Sequence, residues 1–187
     1  MKRMNSKQLR KIKPVNGEDK EIKRNPIYFV LDNVLDTYNI GSVFRLGDAI
    51  AVEKIYICGE SEYPPSSRIH KAAVGTEEWV AWEKRDTALE VVNELKKKGV
   101  FVVAIEQDSR STPFTLLPNL INLPIALVVG HETHGVSKEV LDNADLIIEL
   151  PMFGINKSIN VWGSLAIISY KVIEYLIMKP YLHKKTS

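Results

Sequence analysis

Three short blocks of this sequence carry polar side chains in otherwise apolar surroundings. Residues 39–45 read Asn-Ile-Gly-Ser-Val-Phe-Arg, residues 130–137 read Gly-His-Glu-Thr-His-Gly-Val-Ser, and residues 158–161 read Ser-Ile-Asn-Val, soon after Leu-Pro-Met at 150–152. Together the blocks offer a guanidinium, a carboxylate, hydroxyls and amides. Groups of these kinds can bind a phosphate, hold a reacting hydroxyl in place and stabilise negative charge that develops on oxygen.

Arg45 lies six residues after Asn39 on a predicted helix, in a stretch that is otherwise apolar. A guanidinium there can clamp a phosphate and stabilise a developing alkoxide, but it keeps its own proton at ordinary pH. The alternative is that Arg45 reaches outward from the helix into an ion pair and that Asn39 is only the N-cap. The sequence alone favours neither interpretation.

Glu132 follows a predicted strand and lies two residues after Gly130, where the lack of a side chain lets the backbone approach a ligand. Because parallel α/β sheets bind ligands at the carboxyl ends of their strands, Glu132 is a candidate binding residue. The alternative is a capping or ion-pairing role for a helix that starts near Val136. His131 and His134 are interpreted as surface or loop histidines.

Ser158 and Asn160 are expected to begin the last helix. Side chains at the start of a helix can hydrogen-bond to its free amides or reach a bound ligand. Capping alone would explain Ser158, so its functional role stays open at this point.

These blocks need a scaffold, and the chain alternates β-rich runs with helical stretches, the pattern of a parallel sheet covered by helices. The predicted fold class is therefore α/β. Strands are predicted at residues 28–31, 55–58, 100–105, 125–129 and 146–150. Helices are predicted at residues 40–51, 87–98, 136–143 and 158–178, the second with Asp86 as N-cap and Gly99 as its stop. Residues 59–77 are predicted to be a polar, irregular loop.

A length of 187 residues with 45% hydrophobic content fits about one domain with a substantial core. Continuous apolar runs, such as residues 125–129, fall far short of the roughly 18 residues that cross a bilayer, and no secretory signal follows the basic N-terminus. No membrane association is expected, and the protein should stay in the cytoplasm. The single cysteine, Cys58, is expected to be a small buried hydrophobe, and no metal site is predicted.

The formal net charge is only +2, but basic side chains crowd the first 24 residues. They are Lys2, Arg3, Lys7, Arg10, Lys11, Lys13, Lys20, Lys23 and Arg24. A basic arm of this kind can neutralise RNA phosphates. It can equally be a solvated, partly disordered tail.

The last predicted helix is apolar on nearly every side, and a helix of that kind is expected to be buried on every side. In a domain of this size, one face can cover the sheet while the other meets a second subunit. A homodimer is therefore expected, with burial in the core of one chain as the alternative.

In this order, the three blocks resemble the motifs of SpoU-type (TrmH-like) RNA ribose 2'-O-methyltransferases of the SPOUT superfamily. The resemblance covers roughly residues 26–178 and includes Gly-x-Glu-x-x-Gly in the second block and Ser-x-Asn-Val in the third. It implies a parallel sheet flanked by helices with a C-terminal trefoil knot, which general topology rules would not predict. It also implies a SPOUT domain over residues 26–187, which the basic arm of residues 1–25 precedes, and a homodimer whose active sites use both chains.

The resemblance further implies S-adenosyl-L-methionine as cofactor and RNA as partner. The catalytic residues would be Arg45, Asn39, Glu132, Ser158 and Asn160. The cofactor would be held by Ile105, Gly130, Leu150, Met152, Ser158 and Ile159. Arg45 would lie beside the target 2'-hydroxyl and its phosphate, and Glu132 would bond to Arg45 or to the loop of the third block.

Three departures from the family pattern are Trp162, where a small residue is usual, and Gly47 and Ala51 in the first block. Trp162 could fill a subunit contact, stack on a ligand or narrow the cofactor cavity. The favoured function is methylation of a ribose 2'-hydroxyl, of tRNA because only a short arm precedes the first strand, or of 23S rRNA. The alternative is a catalytically inactive knotted RNA-binding protein.

Overall fold

The computed structural model describes residues 4–14 and 22–184, with side chains described as far as residue 178. Its strands are β1 (Asn25–Asp32), β2 (Val52–Cys58), β3 (Trp82–Arg85), β4 (Phe101–Ile105), β5 (Thr112–Pro113), β6 (Ile125–Gly130) and β7 (Leu146–Glu149). Its α-helices are α1 (Ser6–Leu9), α2 (Thr37–Ala49), α3 (Ser67–Ala73), α4 (Ala88–Lys97), α5 (Lys138–Asn143) and α6 (Val161–Lys184). Within these described residues, 3-10 turns span Thr76–Glu78 and Phe114–Asn119.

The strands form one sheet in the order β3-β2-β1-β6-β4-β7-β5, and every pairing in it is parallel. Alternate residues of the central strands enter two separate hydrophobic clusters. Phe29 and Leu31 pack with α2 and α6 on one face, whereas Val30 packs with α4 and α5 on the other. Burial on both faces explains why these strands are continuous apolar runs. The predicted α/β class and parallel sheet are confirmed.

All five predicted strands exist, but β3 and β5 were missed because they are short and not apolar. The predicted irregular loop at residues 59–77 is wrong, since it contains α3 and a 3-10 turn. Ser66 caps α3 by accepting a hydrogen bond from the amide of Ile69, and Ile69 and Ala73, one turn apart, bury the inner face of the helix. The helix ends at Val74, whose φ of 64° is left-handed.

Three predicted helix starts need correction. The N-cap of α2 is Asp36, which accepts a hydrogen bond from the amide of Tyr38 at 2.8 Å, so Asn39 lies inside the helix and does not cap it. The N-cap of α4 is Thr87, not Asp86. The third predicted helix, α5, begins two residues later than expected, at Lys138.

The last helix also starts later than expected. Ser158 precedes α6 and does not cap it, whereas the side chain of Asn160 accepts a hydrogen bond from the amide of Trp162 at 3.0 Å. Leu165, Ile168 and Val172 are fully buried against the core. The opposite face is exposed, so the expectation of a helix buried on every side is wrong for a single chain.

Length and composition alone would allow the segment Val161–Met178 to cross a membrane. The core helix of a globular protein can have the same length and composition. The segment also carries a 2.8 Å ion pair between Lys171 and Glu174.

Residues 4–14 of the basic arm pack against the segment that follows α3. The backbone of Leu9 lies where a side chain on Gly75 would be, the carbonyl of Ile12 accepts a hydrogen bond from Trp79 Nε1, and Lys13 pairs with Glu78 at 2.7 Å. The interpretation as a disordered tail is therefore wrong for these residues. Lys2, Arg3 and Lys20 lie outside the described residues.

Candidate active site

A cavity of about 190 Å³ opens at the carboxyl ends of β4, β6 and β7. Its walls come from the loops that follow these three strands and from the start of α6. The six residues that the family resemblance assigned to the cofactor all line it: Ile105, Gly130, Leu150, Met152, Ser158 and Ile159. Residues from three distant parts of the sequence thus meet at one edge of the sheet, where parallel α/β sheets bind their ligands.

The loop after β6 is held in shape by two glycines. The backbones of His131 and Gly135 exchange hydrogen bonds of 3.0 and 2.8 Å, which folds the loop back on itself. A Cβ on Gly130 would overlap the backbone of Gly135, and Gly135 itself has a φ of 70°. The sequence suggested that a ligand approaches Gly130, but in the structure the chain's own backbone does so.

Glu106 and Gln107 tie the loop after β4 to the other two walls of the cavity. Glu106 Oε2 accepts a hydrogen bond from the amide of Val136 at 3.0 Å. Gln107 Nε2 donates to the carbonyl of Lys157 at 2.6 Å. Both residues line the cavity, and the sequence analysis missed them. The available signal was two polar residues directly after a predicted strand.

Glu132 also lines the cavity. We expected it to bond to Arg45 or to the loop of the third block, or alternatively to α5, but it bonds to none of them. Its Oε1 accepts hydrogen bonds from Asn39 Nδ2 at 2.8 Å and from the amide of Asp36 at 3.0 Å, and its Oε2 accepts from the amide of Leu35 at 3.1 Å. Burial raises the pKa of Glu132, but these hydrogen bonds outweigh it and hold the pKa below its usual value. Glu132 is therefore ionised at neutral pH.

Arg45 lies apart from this cavity. It is exposed on α2, six residues and therefore about 9 Å along the helix axis beyond Asn39, and it does not line the cavity. Asn160 and Trp162 also lie outside the lining, so Trp162 does not narrow the cavity within one chain. The structure thus brings Glu132 and Ser158 to the predicted cofactor residues and keeps Arg45 apart from them.

The two histidines of the second block are loop residues, as expected. His131 Nδ1 accepts a hydrogen bond from the amide of Thr133 at 2.9 Å, so the ring proton lies on Nε2. Its ring centroid is 4.6 Å from that of His134. Within residues 4–14 and 22–184, no group of three or more His, Cys, Asp or Glu side chains could hold a metal ion.

The sequence pattern of the SpoU rRNA Methylase family matches residues 26–170, which include all three blocks. The chain belongs to this family. The chain is 30% identical over 152 residues to a tRNA (guanosine(18)-2'-O)-methyltransferase of Aquifex aeolicus, and the match covers 81% of this chain and 70% of that protein. It is 29% identical over 145 residues to the 23S rRNA (guanosine-2'-O-)-methyltransferase RlmB of Nitrosomonas europaea, and this match covers 78% of this chain and 55% of that protein.

Solved structures of SpoU proteins share the fold. The crystal structure of the Aquifex aeolicus TrmH/SpoU tRNA modifying enzyme superposes with a TM-score of 0.76 at 29% identity, covering 94% of this chain and 84% of that chain. An AdoMet-bound rRNA methyltransferase from Sinorhizobium meliloti has a TM-score of 0.72 at 24% identity, covering 90% and 60%. The chain spans 60% of the length of a Bacillus subtilis relative and 56% of a Staphylococcus haemolyticus one.

Proposed function

We propose that this protein is an S-adenosyl-L-methionine-dependent RNA methyltransferase that acts on a ribose 2'-hydroxyl, most readily of tRNA and alternatively of 23S rRNA. One observation carries the proposal: the six predicted cofactor residues and Glu132 gather around one cavity at the carboxyl edge of the sheet. The relatives support the RNA class, since they are named for guanosine 2'-O-methylation of tRNA and of 23S rRNA.

The lining of the cavity fits this cofactor. Ile105, Leu150 and Ile159 offer apolar contact to an adenine ring, while Glu106 and Glu149 offer negative charge to a cationic ligand. Among the described residues that line the cavity there is no Lys or Arg. S-adenosyl-L-methionine supplies an electrophilic methyl group when it is bound.

The chain's own residues would then position and stabilise the reacting groups. Ser158 holds the reacting end of the cofactor site, and Asn160 fixes the start of α6 beside it. Arg45 would bind the phosphate next to the target ribose and stabilise negative charge that develops on the 2'-oxygen. Because a guanidinium holds its own proton, Arg45 would not accept the hydroxyl proton, which would leave to solvent.

We infer that the active site is completed by a second copy of the chain, so that Arg45 of the partner subunit faces this cavity. A volume of about 190 Å³ is below the roughly 300–1,000 Å³ of typical small-molecule sites, which leaves part of a cofactor uncovered in one chain. Apolar side chains are exposed nearby, with Phe153 at 94% and Trp162 at 42% exposure. A subunit contact would cover them.

We also propose that the chain forms a trefoil knot and that the protein works in the cytoplasm. Insertion of β7 between β4 and β5 and the hydrogen bond from Gln107 to the 150–160 loop support a chain that threads back near this edge. An experimental structure traced through residues 106–124 and 150–160 would test the knot. An enzyme that modifies tRNA or rRNA is expected to work in the cytoplasm.

The test is methyl transfer from labelled S-adenosyl-L-methionine to tRNA and to 23S rRNA, followed by mass spectrometry of the digested nucleosides. Arg45→Ala should lower kcat about 100-fold or more with little change in cofactor affinity, because it removes a stabilising donor. Arg45→Lys keeps the charge and should lose less. If the cofactor binds but neither RNA gains a 2'-O-methyl group, the protein is the inactive RNA-binding form.

A further inference from the structure

A second cavity, of about 520 Å³, lies between the N-terminal arm, the loop before α3 and the edge strand β3. Lys13 of the arm, Pro64 and Ser66 of the loop, and Trp82 at the start of β3 contribute to its walls. Among the described residues, none lines both this cavity and the first one. The second cavity is therefore a separate candidate site.

One wall of the second cavity is aromatic. Trp82 is half-buried and meets Phe44 edge-on, with ring centroids 6.5 Å apart. Tyr63 lies 6.1 Å from the Trp82 ring at an interplanar angle of 39°. Phe44 directly precedes Arg45 on α2, so this wall packs against the helix that carries the proposed catalytic arginine. A half-buried indole held by two other rings gives a rigid surface on which a flat ligand can stack.

Another wall carries a carboxylate that is not fully satisfied. The side chain of Glu77 is only 5% exposed, and its Oε1 contacts His70 Nδ1 closely. Its other oxygen, Oε2, is buried and accepts no hydrogen bond within the described part of the chain. Leaving a buried carboxylate oxygen without a donor costs free energy. Because Oε2 is closed off from solvent, a ligand N–H group would reach this carboxylate by taking the place of the half-exposed His70 ring, which also lines the cavity.

Exposed cations surround the same region. Arg68 and Lys71 are three residues apart on α3 and therefore share one face of the helix. The backbone amide of Arg10 lies 3.0 Å from the position that a Cβ on Gly75 would take, just beyond the end of α3, which brings the arm beside that helix. Lys11 is exposed next to it. Cations placed in this way can bind the phosphates that flank a captured nucleotide.

We propose that the second cavity binds one unstacked nucleobase of the RNA, with its ring on Trp82 and its amino group donating to Glu77. This inference rests on the proposed function for the RNA class of its ligand. Single-stranded bases are read by stacking on aromatic side chains and by hydrogen bonds to their edges. Adenine, cytosine and guanine carry an amino group, whereas uracil carries none and its N3–H lies between two carbonyl oxygens that a carboxylate repels.

The experiment measures binding of the full chain to ten-nucleotide oligo-A, oligo-C and oligo-U by fluorescence anisotropy at fixed salt. The wild type should bind oligo-A and oligo-C about 10-fold more tightly than oligo-U, because a tenfold difference in affinity corresponds to the free energy of about one hydrogen bond. Glu77→Gln should reduce that preference to about 2-fold or less. Trp82→Leu should weaken all three by about 10-fold, and Trp82→Phe by less. Glu139→Gln, an exposed carboxylate on the opposite face of the sheet, is the matched control and should change nothing.

An unchanged base preference in a folded Glu77→Gln variant would overturn the proposal. So would equal binding by Trp82→Leu and the wild type, and if Trp82→Leu does not fold, Glu77→Gln decides alone. Methyl transfer with no base preference would overturn this inference and leave the proposed function standing. A Glu77-dependent preference without any methyl transfer would support the inference and overturn the proposed function.

Discussion

Asn39 Nδ2 donates a 2.8 Å hydrogen bond to Glu132 Oε1, which joins the first turn of α2 to the loop after β6 across 93 positions of sequence. The same carboxylate accepts hydrogen bonds from the backbone amides of Leu35 and Asp36, which directly precede the helix. Two residues that the sequence assigned to catalysis therefore bond to each other. Their shared structural effect is to fix the start of the helix that carries Arg45.

Replacing Asn39 with Ala should lower the free energy of unfolding by about 1–2 kcal/mol, because it removes one donor from an ionised carboxylate and leaves a small void at a buried position. Urea denaturation would measure the change. Asn143→Ala removes an exposed amide that donates to the carbonyl of Glu139 and should cost much less. Equal losses in the two variants would contradict a special role for the Asn39–Glu132 bond.

The stability that Glu132 contributes should depend on pH in a defined direction. Its folded pKa is lowered, so the contribution is fully present above the unfolded pKa of about 4.3 and is lost as the pH falls through the lower folded value. The difference in unfolding free energy between the wild type and Glu132→Gln should therefore be constant from pH 6 to 8 and shrink below about pH 4.3. A difference that stays constant down to pH 3 would show that the charge of Glu132 contributes nothing.

Gly130→Ala should destabilise the protein by about 2–3 kcal/mol, because the new methyl group overlaps the backbone of Gly135 and neither strand end nor loop can move cheaply. Thermal melting would detect the change. Gly154→Ala is the matched control, since a Cβ there meets nothing within 4 Å. A normal melting temperature for Gly130→Ala would mean that the loop rearranges freely.

If α6 forms a subunit contact, Ile167→Glu should convert a dimer into monomers, because it places a charge in an apolar interface. Light scattering after size-exclusion chromatography would measure the mass. Leu120→Glu is the control, since Leu120 is also 42% exposed but follows the 3-10 turn Phe114–Asn119 and does not lie on α6. A wild-type chain that is monomeric at high concentration would refute the subunit contact.

Cys58 should not react with thiol reagents in the folded protein. It is fully buried, as the sequence predicted, and burial raises the pKa of its thiol to about 12. Colorimetric titration should detect about one thiol only after denaturation. Rapid reaction of the native protein at pH 8 would contradict the burial of β2.

The sheet was predictable because its long strands are apolar on both faces, a pattern that short elements do not show. Strand β3 has four half-buried residues, and β5 has only two residues, one half-buried and one exposed, so neither strand carries enough signal to be found. The helix α3 was missed because Pro64 and Pro65 suggested an irregular loop, although Ser66 was a usable cap signal.

The site was predictable as a set of residues but not as a set of contacts. The second and third blocks identified two of the cavity walls, yet the partners of Glu132 lie more than ninety positions away and carry no local mark of the pairing. Glu106 bonds to Val136 thirty positions away in the same manner. Contacts of this range depend on the order of strands in the sheet, which local sequence patterns do not encode.

The bond between Asn39 and Glu132 links the first cavity to the helix that carries Arg45. Glu132 borders one pocket while the helix it secures presents Arg45 elsewhere, so a ligand that drew on this carboxylate would act on the start of the helix that carries the arginine. If that arginine serves the neighbouring protomer, filling one pocket would alter affinity at the other, and thermodynamic reciprocity requires the reverse effect to be equal.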